Sequence, residues 1–305
     1  TPPPALFTSG LALGAASAVA CALAAAALRL EDRFGPLEAR ALAPLAARAA
    51  NLGPMFLRLG LATMLALGAL GGLPRQGTTP WTSPTLFVPD MQLALVPGWG
   101  WLAGAQLALA LALALGVGTR FAAAGVALLS LAGFGAFGLA FLAYAPHFLG
   151  PALMLMILGG GAAALDRPLG IETICAPPRR IAEAGWTAAL ALLGGCFVYL
   201  AIAFKLTQPT LIMAILDHGK VPLLGLPLAV AALVMTGVEL VAGTLLLFGR
   251  LTRPIALLLI GAFTFFAVTI GETPLFHANL YGAMALLLLA GRALPRLRLY
   301  ISDQT

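Results

Sequence analysis

The sequence predicts an all-α, polytopic membrane helical bundle: about nine transmembrane helices, arranged as one N-terminal helix and two four-helix repeats. Three observations carry this reading. Hydrophobic residues make up 61% of the 305 positions and charged residues only 9%, where a soluble domain carries about 25% charged. The apolar residues gather into runs close to the roughly 20 residues that a bilayer-crossing helix needs. The basic residues alternate from one loop to the next, as they do in membrane proteins. A soluble enzyme and a disordered chain are excluded by this composition. The net charge of +6 does not indicate nucleic-acid binding, because the arginines sit in short clusters between apolar runs and form no stripe.

In chain order the spans fall at about 5–29, 52–73, 98–117, 120–143, 148–165, 186–206, 223–248, 252–271 and 276–292. The first includes Ser17-Ala18-Val19-Ala20-Cys21, which has the outline of a lipoprotein cleavage site; with no positive charge before it, the stretch reads as a membrane helix. Residues 30–50 place Leu37, Ala41, Leu42 and Leu45 at helical spacing, which fits an interfacial amphipathic helix or an ordinary linker. Turns such as 116–120 and 249–253 are so short that their flanking helices must be antiparallel neighbours.

One set of loops holds Arg29, Arg33, Arg40, Arg48, Arg120, Arg167, Arg179, Arg180, Arg250, Arg253, Arg292, Arg296 and Arg298; the other holds Arg75, Lys205 and Lys220. The positive-inside rule places the first set in the cytoplasm. The N-terminus is then periplasmic and the C-terminus cytoplasmic, in a bacterial inner membrane.

The chain after residue 50 reads as a duplication. Ser83-Pro84-Thr85-Leu86 matches Gln208-Pro209-Thr210-Leu211 at an offset of 125. Gln106, Gly116, Thr119 and Arg120 match Glu239, Gly249, Thr252 and Arg253 at an offset of 133, and Phe148-Leu149-Gly150 stands opposite Leu280-Tyr281-Gly282. The organisation is an N-terminal helix and linker at 1–50, a first unit at 51–170 and a second at 171–305. An even number of spans per unit gives parallel repeats about an axis along the membrane normal. The outer segments at 75–97, with Trp81, Trp99 and Trp101 in or beside it, and at 206–222, with Asp217, His218 and Lys220, are long enough to cap a shared cavity.

Few residues can carry chemistry. Glu239 precedes Gly249 by ten residues, or about 15 Å of helix, which puts a carboxyl group near the bilayer midplane. An ionisable group at that depth suggests a functional site. Its counterpart Gln106 is neutral. His277 and His147 begin the last and the fifth spans and could contact a ligand; together they could hold a haem iron, though without a CxxCH motif this is the less favoured reading. Lys205 closes the sixth span on the outside; pairing with Glu239 would require Glu239 to lie higher than its count indicates. Arg58, two turns into the second span, could snorkel inward or hold an anionic or carbonyl group. Arg120 and Arg253 read as topology determinants. Cys21, Cys175 and Cys196 form no CxxC, and no spacing suits a metal site.

The segment from Gly237-Val238-Glu239-Leu240 through Gly243-Thr244-Leu245-Leu246-Leu247-Phe248-Gly249-Arg250-Leu251-Thr252-Arg253 resembles the E-L-x-x-G-x-L-L-L-x-G-x-x-T-R helix and turn of the DoxX/DoxD superfamily. Phe56-Leu57-Arg58-Leu59-Gly60 is similar to that family's opening helix; the second unit has Leu193-Gly194-Gly195 there and lacks the arginine. The resemblance implies membrane redox chemistry, since DoxD is the membrane subunit of thiosulfate:quinone oxidoreductase. It implies quinone as substrate or cofactor, Glu239 at the family's acidic position with His277 beside the quinone, and Lys205, Arg58, Gln106 and His147 in support. Electrons would come from membrane or periplasmic redox partners. Two other readings stand beside this one: a structural or assembly subunit with no ligand, and a small-solute or proton-coupled transporter.

Overall fold

The computed structural model describes residues 4–72, 83–223, 225–271 and 273–292; Arg75, Trp81, Glu272, Arg296 and Arg298 lie outside the described residues. The described residues form helices joined by turns and irregular segments, with one isolated bridge between Thr85 and Gln92. In order the α-helices are α1 (Ala5–Thr8), α2 (Gly10–Ala41), α3 (Ala43–Leu70), α4 (Trp101–Leu115), α5 (Thr119–Phe137), α6 (Ala145–Leu158), α7 (Arg179–Leu200), α8 (Pro209–His218), α9 (Leu228–Leu247), α10 (Thr252–Ile270) and α11 (Ala278–Ala290).

Among the described residues six helices are long and apolar enough to cross a membrane: Gly10–Ala41, Ala43–Leu70, Thr119–Ala143, Arg179–Leu206, Leu228–Leu247 and Thr252–Ile270. The chain is a multi-pass membrane protein by this measure. The spans expected at 98–117, 148–165 and 276–292 are shorter helices, Trp101–Leu115, Ala145–Leu158 and Pro274–Ala290. Glycines at positive φ stop each of them: Gly116 at 66°, Gly159 at 76° and Gly291 at 68°. Residues 30–50, expected as an interfacial amphipathic helix or an ordinary linker, are helical on both sides of Leu42. Helix α2 runs on through Pro36 to residue 41, and α3 starts after the single residue Leu42.

Two sets of close helix contacts build the core. Helix α3 packs on α4 and α11, and α7 packs on α9 and α6. Glycines permit the approach, as is usual between membrane helices. A Cβ on Gly282 would come within 2.7 Å of the Phe56 carbonyl oxygen, and one on Gly150 within 3.0 Å of the Ala189 carbonyl oxygen. Gly194 and Gly243 bring α7 and α9 together in the same way.

At the end of the bundle where α4 and α9 finish, two arginines close helix ends. Arg120 Nε donates to Met156 O at 3.0 Å and Nη2 to Ile157 O at 3.4 Å. Arg253 Nε donates to Leu288 O at 3.0 Å and Nη2 to Leu289 O at 3.1 Å. Each guanidinium thus meets carbonyls that the last turn of α6 or α11 leaves without a donor. The turns before α5 and α10 are capped by carboxylates. Asp166 accepts from Gly118 N at 2.5 Å and Thr119 N at 3.1 Å. Glu31 accepts from Leu251 N at 2.8 Å and from Arg250 at 2.5 Å. Asp32 also pairs with Arg250, and Glu38 with Arg253 at 2.9 Å. The hydrogen bond and charge of Glu31, with Asp32 beside it, hold the Arg250 guanidinium above its usual pKa. These contacts fix α2 to the α9–α10 turn, although no residue of α2 is buried.

At the opposite end the two long segments fold differently. In 83–97 the backbone drops into the bundle, where buried Phe87 stacks on Phe148 with ring centroids 4.1 Å apart. In 207–222 the chain forms α8, whose Ile212 and Leu216 pack with Phe7 of α1 and Ala231 and Ala232 of α9.

Candidate functional site

Beneath α8 lies a cavity of about 660 Å³, within the usual size of a small-molecule site. Both halves of the chain line it. Val88, Pro89, Asp90, Tyr144, His147 and Phe148 come from the first, and Phe197, Lys205, Glu239, Phe263, His277 and Asn279 from the second. Aliphatic residues of α8 form the roof. The walls are mostly aromatic and aliphatic, so the polar groups stand out.

Glu239 and Lys205 form an ion pair on this cavity, each with a partly exposed side chain. The expectation that Glu239 lies too deep for Lys205 is corrected. The last six residues of the sixth span, Ala201–Leu206, wind as a π-helix. That changes the direction in which Lys205 leaves the helix, and its long stem brings the ammonium to the carboxylate.

His147 is 7% exposed and its Nε2 has no hydrogen-bond partner among the described residues. Its ring lies 4.7 Å from that of Phe197. Its backbone is held by Tyr144 O at 3.0 Å and by Asn279, whose Nδ2 donates to His147 O at 3.1 Å. His277 lies parallel to Phe263 at 5.0 Å. At the rim the Tyr144 hydroxyl donates to Asp90 Oδ2 at 2.8 Å. A buried imidazole nitrogen with no partner is costly unless a ligand or water meets it.

Of the residues expected at a site, Glu239, His277, Lys205 and His147 are brought together on this cavity, while Gln106 and Arg58 are not. Gln106 is fully buried; its amide donates to Leu65 O at 2.8 Å and Thr85 O at 3.1 Å and accepts from Phe87 N at 3.0 Å. It holds the Phe87 segment in place. Arg58 is buried at the other end, where it donates to the carbonyls of Gly160 (3.0 Å), Leu113 (2.8 Å), Ala114 (2.6 Å), Ala162 (3.1 Å) and Ala163 (2.8 Å). Both side chains are committed to backbone. Tyr144, Asp90 and Asn279 are members that sequence reasoning passed over. Asn279 stands opposite His147 in the 132-residue register of the two halves, the one signal that could have found it.

Compared with known proteins, the chain matches no family model, no curated protein and no solved structure.

Proposed function

We propose that residues 51–292 are two copies of one four-helix unit about an axis along the membrane normal, and that the cavity between them takes a quinone ring. On this reading the chain is a DoxX/DoxD-like inner-membrane subunit of a quinone-linked oxidoreductase complex. Nine helices cross the bilayer, with the N-terminus periplasmic. The loop-to-loop alternation of arginines supports that topology. Matched contacts support the duplication. Arg120 and Arg253, at an offset of 133, bond carbonyls at an offset of 132, and α3 on α11 mirrors α7 on α6. The three short helices cross with help from flanking irregular backbone, which protein contacts can satisfy within a membrane.

The observation that carries the ligand reading is an aromatic-walled cavity that holds the Lys205–Glu239 ion pair, with His147, whose buried Nε2 has no partner among the described residues, in its wall. These residues fit a quinone: flat apolar walls for the ring and polar groups for its carbonyls. When bound, a quinone supplies two-electron, two-proton redox chemistry, with electrons from a partner subunit. His147 stands in the wall, where a small turn of its ring would bring Nε2 to a quinone carbonyl. Lys205 donates from Nζ, and Glu239 can hold or release a proton at its carboxyl group. Tyr144 and Asp90 link the cavity rim to solvent-exposed protein.

Titration of a short-chain quinone into the purified chain tests this. Removing one hydrogen-bonding group should weaken binding about tenfold, so His147→Phe and Glu239→Gln should each do so. Unchanged affinity in both variants would put the quinone elsewhere than this cavity, and no saturable binding to the wild type would leave a membrane scaffold without a ligand. A Soret band in the visible spectrum would assign His147 and His277 to haem instead.

A further inference from the structure

A second cavity, of about 230 Å³, lies at the opposite end of the bundle, where α7 begins and α9 and α11 end. It is lined by Trp186, Thr187, Leu190, Leu247, Phe248, Gly249 and Arg292. Its volume is that of roughly seven or eight waters, enough for a small polar head group and too little for a ring and its tail.

Its polar character follows from the chain ends around it. The carbonyl of Leu247 is the last of α9. The N–H groups that could reach it turn elsewhere: Arg250 N donates to Leu245 O and Leu251 N to Glu31. Among the described residues Leu247 O therefore has no donor. Two helix C-termini converge here, and their partial negative charge favours a cation. Arg292 supplies the opposite sign of recognition; its guanidinium makes no hydrogen bond or ion pair within the described residues. Leu190, Leu247 and the exposed Phe248 give the cavity an apolar border.

The first half of the chain shows what such a place requires. On the duplication reading, Ala114 O corresponds to Leu247 O and Gly160 O to Arg292 O. In the first half Arg58 donates to both Ala114 O and Gly160 O. In the second half the Trp186 indole donates to Arg292 O at 3.1 Å, and none of the described residues takes the place of the bond to Ala114 O. The contacts of Gly282 with Phe56 and of Gly150 with Ala189 set the register of α3 on α7 at 133, which puts Ala191 where the first half has Arg58. Beside Gly116 stands the Arg58 guanidinium, and beside its counterpart Gly249 stands a δ-methyl of Leu190, which can donate no hydrogen bond, so the Leu247 carbonyl still wants a nitrogen donor.

We propose that this cavity binds the head group of an aminophospholipid, its ammonium on Leu247 O and the end of α9, and its phosphate on Arg292. The two charges lie on one head group, as the paired carbonyl and guanidinium demand, and the acyl chains leave along Leu190 and Phe248. The comparison with Arg58 rests on the duplication, but the cavity, its free carbonyl and Arg292 do not.

Native mass spectrometry of the delipidated full chain tests the proposal with phosphatidylethanolamine, phosphatidylcholine, phosphatidylglycerol and free phosphoethanolamine as probes. The expected result is one bound phosphatidylethanolamine, held about tenfold more tightly than phosphatidylcholine, whose nitrogen has no N–H. Phosphatidylglycerol should also bind about tenfold more weakly, and Arg292→Gln should lose a similar factor. Ala191→Arg should expel the lipid by restoring the internal guanidinium. Should that variant fail to fold, Arg292→Gln and the wild-type lipid ranking decide alone. Competition by free phosphoethanolamine at the lipid's own affinity would make the soluble head group the ligand. Equal retention of phosphatidylethanolamine and phosphatidylcholine, or tighter phosphatidylglycerol, would overturn the proposal. Quinone affinity at the other cavity should be unchanged in both variants, so the two sites stand or fall separately.

Discussion

Replacing Arg58 by Met removes the side chain on which one end of the first half closes. The guanidinium meets five carbonyls. Leu113 O keeps a second donor, Gly116 N at 3.1 Å. The other four, of Ala114, Gly160, Ala162 and Ala163, lose the hydrogen bond that Arg58 gives them. At roughly 1 kcal/mol for each acceptor left without a partner, the loss is about 4 kcal/mol. For a chain of this size that lowers the unfolding midpoint by about 10 °C. Thermal unfolding in mild detergent, followed by intrinsic tryptophan fluorescence, reads this directly. Arg58→Lys should recover only part of the loss, because one ammonium cannot reach carbonyls spread across a planar fork. A fall of less than about 2 °C for Arg58→Met would refute the account and return Arg58 to the role of a snorkelling or ligand-holding arginine.

Two further perturbations test the packing and the N-terminal clasp. Gly282→Val should destabilise by about 3 kcal/mol, because even a Cβ there meets the α3 backbone, whereas Gly104→Ala, with open space around it, should be neutral or slightly stabilising; paired melting curves separate the two. Glu31→Ala removes the acceptor for Leu251 N at the start of α10 and should cost about 1 kcal/mol, read as a fall of about 3 °C, with Asp166→Ala giving a similar fall through Gly118 N.

Much of this architecture is written in the sequence because bilayer length and helix ends leave plain marks. The apolar runs locate a helix in every expected span, and Gly116 and Gly249 locate the turns. Arg120 and Arg253 are visible as a matched pair, but their work is not. They read as topology markers, and the structure also has them bonding carbonyls of α6 and α11, a contact that depends on tertiary approach. Gln106 and Arg58 mislead for the same reason: a buried donor serves whichever carbonyl a neighbouring helix presents, and sequence does not say which one that is. Glu239 stands out in the sequence as an acid within an apolar run, yet its pairing with Lys205 is hidden by the π-helical turn of 201–206, which breaks the regular count of residues per turn. His147 carried a visible label; the absence of a partner for its Nε2 appears only once the surrounding helices are packed.

Helix α2 is riveted at one end through Glu31, Asp32 and Glu38, yet none of its residues is buried and only Leu28 leans on the core. Its alanine-rich length then faces hydrocarbon tails on most sides and is answerable only for greasiness and reach. Such a stretch can drift freely in sequence as long as its three acids stay in register, so variation among descendants of this chain should pool in residues 10–28 and halt abruptly at the first of those anchors.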